Sequence, residues 1–430
     1  MKKLNIFAGL RDFLILWGSQ AVSTLGTAMT GFALVIWVYD QKGTASSITI
    51  LTACTLIPSI LFSFIAGTLA DRWDKKRIML LSDLLAACGT VTVLVLYLTG
   101  DLQIWHLYII NFLLSFMNAF QGPASYVATT LLIPKDQFVR VSGLYAFSGA
   151  IVTILAPALG SALLAFSDLK LVLIVDLTTF AVAFTTLLFF IRIPKIETAI
   201  SAGEIKESFF KSCSAGVNFL REHKALLRII LFFAYINFIA KMGGYGMLPA
   251  LILGRSNGDQ ASLGIVEAAV GLGAFAGSII VTLIKPATSR TKVIFFSCGI
   301  SFFLGDFLWS FQRTLPLWVF SAVACNFPLP FLNANLTAVM RENVPVEMQG
   351  RVFSARDTIQ YSTIPVGLLL GGFLADHIFE PFMAAPFKIM NAVFGAGKGA
   401  GIAVMFFITG VLGCVTSFIS MKNPMYKSLD

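Results

Sequence analysis

The chain has 430 residues, of which 57% are hydrophobic and only 12% are charged, although the net charge is +9. Soluble globular proteins carry about 25% charged residues, so this composition excludes an ordinary soluble domain and indicates segments that face lipid or one another. Six cysteines lie mostly inside apolar runs without CxxC spacing, which predicts neither a disulfide framework nor a metal site. We therefore expect no metal and no cofactor.

Twelve apolar segments are long enough to cross a bilayer, which needs about 20 residues. In chain order they lie near 13–38, 46–70, 78–99, 104–129, 141–166, 170–192, 226–252, 261–284, 293–312, 316–340, 352–376 and 399–420. Residues 193–225 mix charged with apolar side chains, which indicates a cytoplasmic linker that is partly an amphipathic helix on the membrane surface. The predicted organisation is an N-terminal half, 1–192, the linker, and a C-terminal half, 226–430.

Lysine and arginine fall mainly on one side of the predicted bundle. The loop after the second span carries Arg72, Lys75, Lys76 and Arg77, whereas the loops of the opposite side carry single cations such as Lys170. Because positive loops stay inside the cell, this bias predicts a multi-pass protein of the bacterial cytoplasmic membrane with both termini in the cytoplasm. The same bias accounts for the basic net charge without nucleic acid.

An internal repeat relates the two halves. A shift of 211 residues keeps matching residues in register across a helix, a cytoplasmic loop and the next helix. The matches are Phe120 with Phe331, Pro134 with Pro345, Arg140 with Arg351 and Gly160 with Gly371. Both halves begin on the same side after an even number of spans, so the repeat is parallel, about an axis along the membrane normal.

The loop after the second span reads GTLADRWDKKR, from Gly67 to Arg77. It resembles the signature between the second and third helices of the major facilitator superfamily, where such a cluster latches the cytoplasmic face. The alternative is a plain positive loop that only fixes topology. The resemblance and the neighbouring helix ends give the candidate gating residues Gly67, Asp71, Arg72, Lys76, Arg77, Arg356 and Asp357.

Two further stretches narrow the resemblance. Residues 344–376, and 380–382 with 394–406, are similar to the drug and proton antiporter-3 family, which contains macrolide exporters. The resemblance implies an all-α major facilitator fold of twelve transmembrane helices in two parallel six-helix halves, alternating access and export of amphiphilic compounds. In the fifth span Ala156, Pro157 and Gly160 form the helix-packing motif that usually reads Gly-Pro-x-x-Gly-Gly. Residues 110–120 of the fourth span lack the arginine common in related exporters, so proton coupling must use other groups.

Three carboxylates lie inside predicted spans: Asp176 in the sixth, Glu267 in the eighth and Asp306 in the ninth. A charged side chain at such depth costs about 2.5–3.5 kcal/mol on insertion scales, so each is a functional candidate, and we predict that they couple transport to protons. Asp176 could instead be a hydrogen-bonded packing residue, and Glu267 could pair with Lys241 of the seventh span.

Polar and aromatic side chains within the spans are candidates for a substrate cavity, since amide and aromatic linings suit amphiphilic compounds. The candidates are Trp17, Gln20, Asn118, Lys241, Asn333 and Tyr361. Helix packing is the alternative for each, and Lys241 could snorkel or neutralise a carboxylate. The stretch KMGGYGMLPA that starts at Lys241 predicts a kinked or unwound helix. Asp83 is interpreted as part of the cytoplasmic gate.

A secondary active transporter that exports amphiphilic molecules by proton antiport is the leading prediction. The chain has no GxxxxGK[ST] loop, so the energy must come from an ion gradient or from the substrate. The expected partners are a small-molecule substrate, protons and membrane lipid, with the protein a monomer. The alternatives are an importer or facilitator of a metabolite and, from another class, a membrane-embedded enzyme. Only three histidines occur and they are scattered, so we expect no enzyme.

Overall fold

A computed structural model describes residues 11–72, 74–133, 138–191, 209–284, 287–385 and 388–430. The described residues form helices and contain no β-strand. The chain divides into two compact units. The first comprises Met1–Lys42 and Ile50–Thr198, and the second comprises Gly43–Thr49 and Ala199–Asp430.

Six long helices carry the N-terminal part of the chain, and each overlaps one predicted span. They are α1 (Arg11–Lys42), α2 (Ala45–Arg72), α3 (Lys75–Thr99), α4 (Ile104–Leu132), α5 (Phe138–Phe166) and α6 (Leu169–Thr185), which continues as a π-helix over Thr186–Phe190. In this unit α1 packs against both α5 and α6, and α3 packs against α4 and α6.

The C-terminal part has more numerous and shorter helices, because several predicted spans are built from two consecutive helices. The first group is α7 (Phe209–Glu222), α8 (Lys224–Met242), α9 (Leu248–Arg255), α10 (Gln260–Leu283) and α11 (Arg290–Phe302) with a π-helix at Phe303–Phe307. The second group is α12 (Leu315–Asn326), α13 (Leu329–Asn343), α14 (Val346–Tyr361), α15 (Thr363–Leu374) with a π-helix at Ala375–Phe379, α16 (Glu380–Ala384), α17 (Lys388–Phe394) and α18 (Ala400–Lys422). Helix α7 lies in the predicted linker, whose residues 193–208 fall outside the described ranges.

The helices have the length and surface of a membrane protein. Within the described ranges, nine helices or joined helices are long and apolar enough to cross a bilayer, and the remaining three predicted spans coincide with α2, α4 and α11. Large apolar side chains cover the outside: Phe166 is 87% exposed and Leu283 is 79% exposed. A soluble monomer rarely exposes such an apolar surface, whereas lipid accepts it at no cost.

The seventh predicted span is broken, as its glycines predict. Helix α8 ends at Met242, a short 3₁₀ turn covers Tyr245–Met247, and α9 follows with Pro249 in its first turn. A methyl group at Gly244 would lie 2.6 Å from Asp306 Oδ1, so only glycine allows this approach. The prediction of an interrupted helix after Lys241 is therefore confirmed.

Distant carboxylates cap helices of the second unit. Asp430 accepts hydrogen bonds from Ser289 Oγ at 2.6 Å, Thr291 N at 2.8 Å and Thr291 Oγ1 at 2.9 Å, at the start of α11. Burial raises the pKa of the Asp430 carboxyl, but these donors together outweigh burial and hold its pKa below the usual value. An anion at a helix N-terminus also interacts favourably with the helix dipole.

A second cap explains one of the stretches that carried the family resemblance. Glu380 Oε1 accepts hydrogen bonds from Gly399 N and Ile402 N, each at 3.1 Å, at the start of α18. Gly395, Gly397 and Gly399 all have positive φ angles, between 85° and 93°, so the loop that brings α18 to this carboxylate needs glycine at these positions. The motif therefore builds a helix start.

Residues 43–49 group with the second unit through a third cap. Asp376 accepts hydrogen bonds from Ala45 N at 2.9 Å and Ser46 N at 2.7 Å, which are orphan donors of the first turn of α2. Gly372 also packs against Ser46, because a methyl group added at Gly372 would lie 2.9 Å from Ser46 Cα. A distant aspartate thus fixes the first turn of α2.

A packing contact of α10 gives the first prediction. A methyl group at Gly273 would lie 2.9 Å from Val323 Cα of α12, whereas one at Gly31 of α1 would meet nothing within 4 Å. We expect Gly273→Ala to lower the midpoint of thermal unfolding in detergent, because overpacking costs about 1–3 kcal/mol. Gly31→Ala, the control, should leave the midpoint unchanged or raise it slightly, since alanine favours helix. Equal midpoints for the two variants would contradict this packing.

Candidate functional site

The first unit contains a polar cavity of about 540 Å³, called here the first-unit cavity. Its lining comes from α1, α2, α3, α4 and α6. The polar lining includes Gln20, Thr24, Thr27, Thr30, Asp83, Thr90, Asn111, Asn118, Gln121 and Asp176, and the apolar lining includes Leu34, Val35, Leu51, Val93, Leu114 and Phe180. Two carboxylates thus face a cavity whose described lining contains no lysine, arginine or histidine.

An adjoining cavity of about 520 Å³ shares part of this lining. The shared residues are Gln20, Thr24, Asn118 and Gln121, and the adjoining cavity adds Trp17 and Tyr145. The structure therefore brings together three of the predicted cavity residues, Trp17, Gln20 and Asn118. Their predicted contact with substrate stays a prediction.

Asp176 joins three helices of the first unit. Its carboxylate accepts hydrogen bonds from Thr27 Oγ1 at 3.1 Å, Thr30 Oγ1 at 3.0 Å and Thr90 Oγ1 at 3.3 Å, so α6 is tied to α1 and α3. The side chain is buried, and a methyl at Gly26 of α1 would lie 3.2 Å from its Oδ1. These contacts give Asp176 the packing role that the sequence left open beside proton coupling.

Asp83 has a different surrounding in the same cavity. Gln20 Nε2 of α1 donates to its Oδ2 at 3.3 Å, and Gln121 Nε2 of α4 donates to its Oδ1. Asp83 and Thr90 lie on the same face of α3, seven residues apart, which separates the carboxylates of Asp83 and Asp176 by roughly 10 Å along the helix. The sequence interpretation placed Asp83 with the cytoplasmic gate; the structure places it in the cavity lining.

Asp306 holds the corresponding position in the second unit. It lies in the π-helix that follows α11, is buried, and accepts hydrogen bonds from Thr409 Oγ1 of α18 at 3.0 Å and from its own backbone N–H. Single π-turns within helices are frequent at functional sites. The Gly244 contact described above completes this junction.

The surroundings of Asp176 and of Asp306, called here the two junctions, each consist of a carboxylate, a glycine and a threonine. In each unit a glycine near the first long helix packs on a carboxylate, and a threonine hydroxyl from another helix donates to that carboxylate. In the first unit the carboxylate is on the sixth span and the donor Thr90 on the third. In the second unit the carboxylate is on the ninth span and the donor Thr409 on the twelfth. By order along the chain the third and sixth spans correspond to the ninth and twelfth, so the acid and the hydroxyl lie on exchanged spans.

A second group of the second unit surrounds the helix break after α8. Lys241 Nζ lies 4.7 Å from the centroid of the Tyr245 ring, a cation–π contact. Glu267 of α10 is close enough to interact electrostatically with both side chains, yet among the described residues no ion pair joins it to Lys241. Asn333 of α13 and Tyr361 of α14, two other predicted cavity residues, are exposed.

The predicted gating residues are only partly described. The surroundings of Gly67 and the side chains of Asp71 and Arg72 are not among the features that the structure describes. Lys76 Nζ donates to Leu188 O at 2.9 Å and Ile191 O at 2.7 Å. A lysine at a helix C-terminus satisfies carbonyls that have no partner within the helix, so Lys76 caps the sixth span.

The remaining members of the gating and packing motifs are placed by short-range contacts. Arg77 is exposed and its backbone N–H donates to Asp74 at 3.1 Å. Arg356 forms an ion pair with its neighbour Asp357 at 2.8 Å.

In the fifth span Ala156 is buried and Pro157 lies inside α5. Gly160 lies against α1, where a methyl group would approach Phe32 Cδ1 at 3.0 Å. This contact brings α5 close to α1, as a small residue at a helix crossing allows.

Comparison with known proteins agrees with this architecture. A family profile described as Major Facilitator Superfamily matches residues 16–368. Macrolide efflux protein A of Streptococcus pyogenes is 27% identical over 370 residues, covering 85% of this chain and 90% of that protein. Macrolide efflux protein A of Enterococcus faecalis is 28% identical over 316 residues, covering 73% and 96%. The crystal structure of the nucleoside transporter NupG superposes with a TM-score of 0.68 at 14% identity, covering 96% and 98%, a likeness of fold alone.

The Asp176 junction generates the second prediction. Thr30→Val removes one of its three donors without changing side-chain shape, and a hydrogen bond to a charged group contributes about 1.5–3 kcal/mol. We expect a lower midpoint of thermal unfolding in detergent. The matched control is Thr178→Val on the same helix as Asp176, because the Thr178 hydroxyl is exposed and only bonds Ile174 O at 2.8 Å within its own helix. If Thr30→Val left the midpoint unchanged, the hydrogen bond from Thr30 to Asp176 would not stabilise the protein.

Proposed function

Because this chain belongs to the Major Facilitator Superfamily, we propose that it is a secondary active transporter that exports amphiphilic small molecules, such as macrolides or other drug-like compounds, by proton antiport. The observation that carries the proposal is the first-unit cavity. Its volume of about 540 Å³ falls within the range of sites for drug-sized molecules, about 300–1,000 Å³. The relatives named macrolide efflux proteins support the substrate class.

The cavity lining suits an amphiphile. Leucine, valine and phenylalanine side chains offer apolar surface, and threonine, asparagine and glutamine offer hydrogen bonds on the same walls. Such a mixed lining can bind a compound that has an apolar body and a few polar groups.

Proton coupling is assigned to the second unit, to Asp306 and Glu267. A buried carboxylate with a single hydroxyl donor is costly as an anion unless it binds a proton or a cation. Beside its own backbone N–H, Asp306 receives one hydroxyl donor, Thr409, whereas Asp176 receives three and serves better as a packing residue. Glu267 can bind and release a proton close to the ammonium group of Lys241. For one proton, 100 mV supplies about 2.3 kcal/mol, enough for roughly fifty-fold accumulation.

The proposed setting is the bacterial cytoplasmic membrane, with lipid around a monomer and both termini in the cytoplasm. The asymmetry of lysine and arginine between alternate loops supports this orientation. Alternating access, with the loop from Gly67 to Arg77 latching the cytoplasmic face, is part of the proposal, and membership of the superfamily supports it. The Arg356–Asp357 pair, at 2.8 Å, would contribute to that latch.

Accumulation of erythromycin in a host without its own efflux pumps tests the proposal. Cells with the protein should accumulate less erythromycin than cells with an empty vector, and a protonophore should abolish the difference, because the gradient supplies the energy. Asp306→Asn keeps the acceptor for Thr409 but cannot carry a proton. We expect it to lose uphill export and to retain exchange of labelled for unlabelled erythromycin in proteoliposomes.

The control variant is Asp101→Asn, which neutralises an exposed acid between α3 and α4 and should export normally. All variants are compared at equal amounts of folded protein in the membrane. Export that persists with the protonophore would contradict proton coupling. Inward, saturable uptake of a polar solute in place of export would favour an importer or facilitator.

A further inference from the structure

We propose that Asp83 is the counter-ion for a protonated amine on the substrate, which restricts the preferred substrates to cationic amphiphiles. The inference rests on the proposed function and deepens it. The carboxylate of Asp83 lies in the wall of the first-unit cavity, and its two hydrogen-bond partners, Gln20 and Gln121, line both this cavity and the adjoining one. Asp83 therefore stands where the two cavities adjoin.

The acidic lining of the first-unit cavity favours a ligand with a positive charge. Asp83 and Asp176 are the charged residues of the described lining, which includes no cationic side chain. A unit charge about 5 Å from a carboxylate interacts with it by about 3 kcal/mol at an effective dielectric constant of 20. An amine that enters with its proton thus gains an attraction that an uncharged compound of the same shape lacks.

Asp83 is better suited than Asp176 to receive this cation. A carboxylate offers about four lone-pair sites. At Asp176 three threonine hydroxyls from two neighbouring helices occupy three of these sites, and α1 packs closely through Gly26. At Asp83 two amide donors leave sites for an ammonium N–H. Those amides end flexible side chains that can rotate aside, whereas short threonines held by helix packing cannot.

The proposed occupant is an organic amine, because the cavity is far larger than a bare inorganic cation. Its walls also carry Ala86, Ala87 and Leu114, an apolar surface that an organic amine can contact and an inorganic cation cannot use. An amphiphile places its amine at Asp83 and its apolar body along these walls. Hydrogen-bonding groups of the same molecule can reach Asn118 and Gln121.

Binding of two matched probes to purified protein in detergent tests the assignment without requiring export. The probes are erythromycin, which carries a tertiary amine, and its N-demethyl-N-acetyl derivative, in which an amide replaces the amine and removes the charge. We expect wild-type protein to bind erythromycin about tenfold or more tightly than the amide, as loss of a buried ion pair implies. Asp83→Asn should remove this preference, and Asp83→Glu should restore part of it.

Two controls separate the outcomes. Asp101→Asn removes the same charge at an exposed site and should keep the preference, and the unfolding midpoint of each variant verifies folding. Three results would each overturn the assignment. They are a preference that survives in Asp83→Asn, an equal loss of affinity for both probes in that variant, and no preference in the wild-type protein. If the preference for the amine is found while cells export neither probe, the proposed export fails and the counter-ion assignment stands.

Discussion

A carboxylate buried among apolar helices must find hydrogen-bond donors, a proton or a cation, and this requirement organises both units of the protein. An unpaired anion at such depth costs several kcal/mol even after the protein relaxes. Threonine hydroxyls meet the requirement at Asp176 and Asp306, and glycines at Gly26 and Gly244 let a neighbouring helix come close enough. In the proposed mechanism, the number of hydroxyl donors distinguishes Asp176, a fixed anion, from Asp306, which exchanges a proton.

The predicted repeat offers a reason why two such junctions exist. By order along the chain the spans around the two junctions correspond, but acid and hydroxyl occupy exchanged spans in the two units. The surroundings have diverged further: the first-unit cavity has acidic residues and no described cation, whereas the second unit places Lys241 beside Glu267. This divergence supports a division of labour in which one unit recognises the substrate and the other handles the proton.

The fold was largely predictable from the sequence because lipid imposes strong and simple rules. Runs of about 20 apolar residues give the spans, and every one coincides with a helix; the glycines after Lys241 likewise predict the break that ends α8 at Met242. The site was less predictable. Asp83 was assigned to the gate because its place in the sequence is close to the loop, and only packing shows that α1 and α4 bring Gln20 and Gln121 to it. The threonines around Asp176 come from distant parts of the chain, and no spacing rule joins them.

The two carboxylates of the first-unit cavity also affect which cytoplasmic compounds can enter it. Most intermediates of metabolism are anions, such as phosphate esters and carboxylic acids. An anion about 7 Å from either carboxylate would be repelled by about 2 kcal/mol at an effective dielectric constant of 20, roughly thirtyfold in occupancy, and would find no described cation in the wall to offset this. In the proposed exporter, this repulsion would keep anionic nutrients out of a cavity that accepts cationic amphiphiles, so they would stay in the cytoplasm.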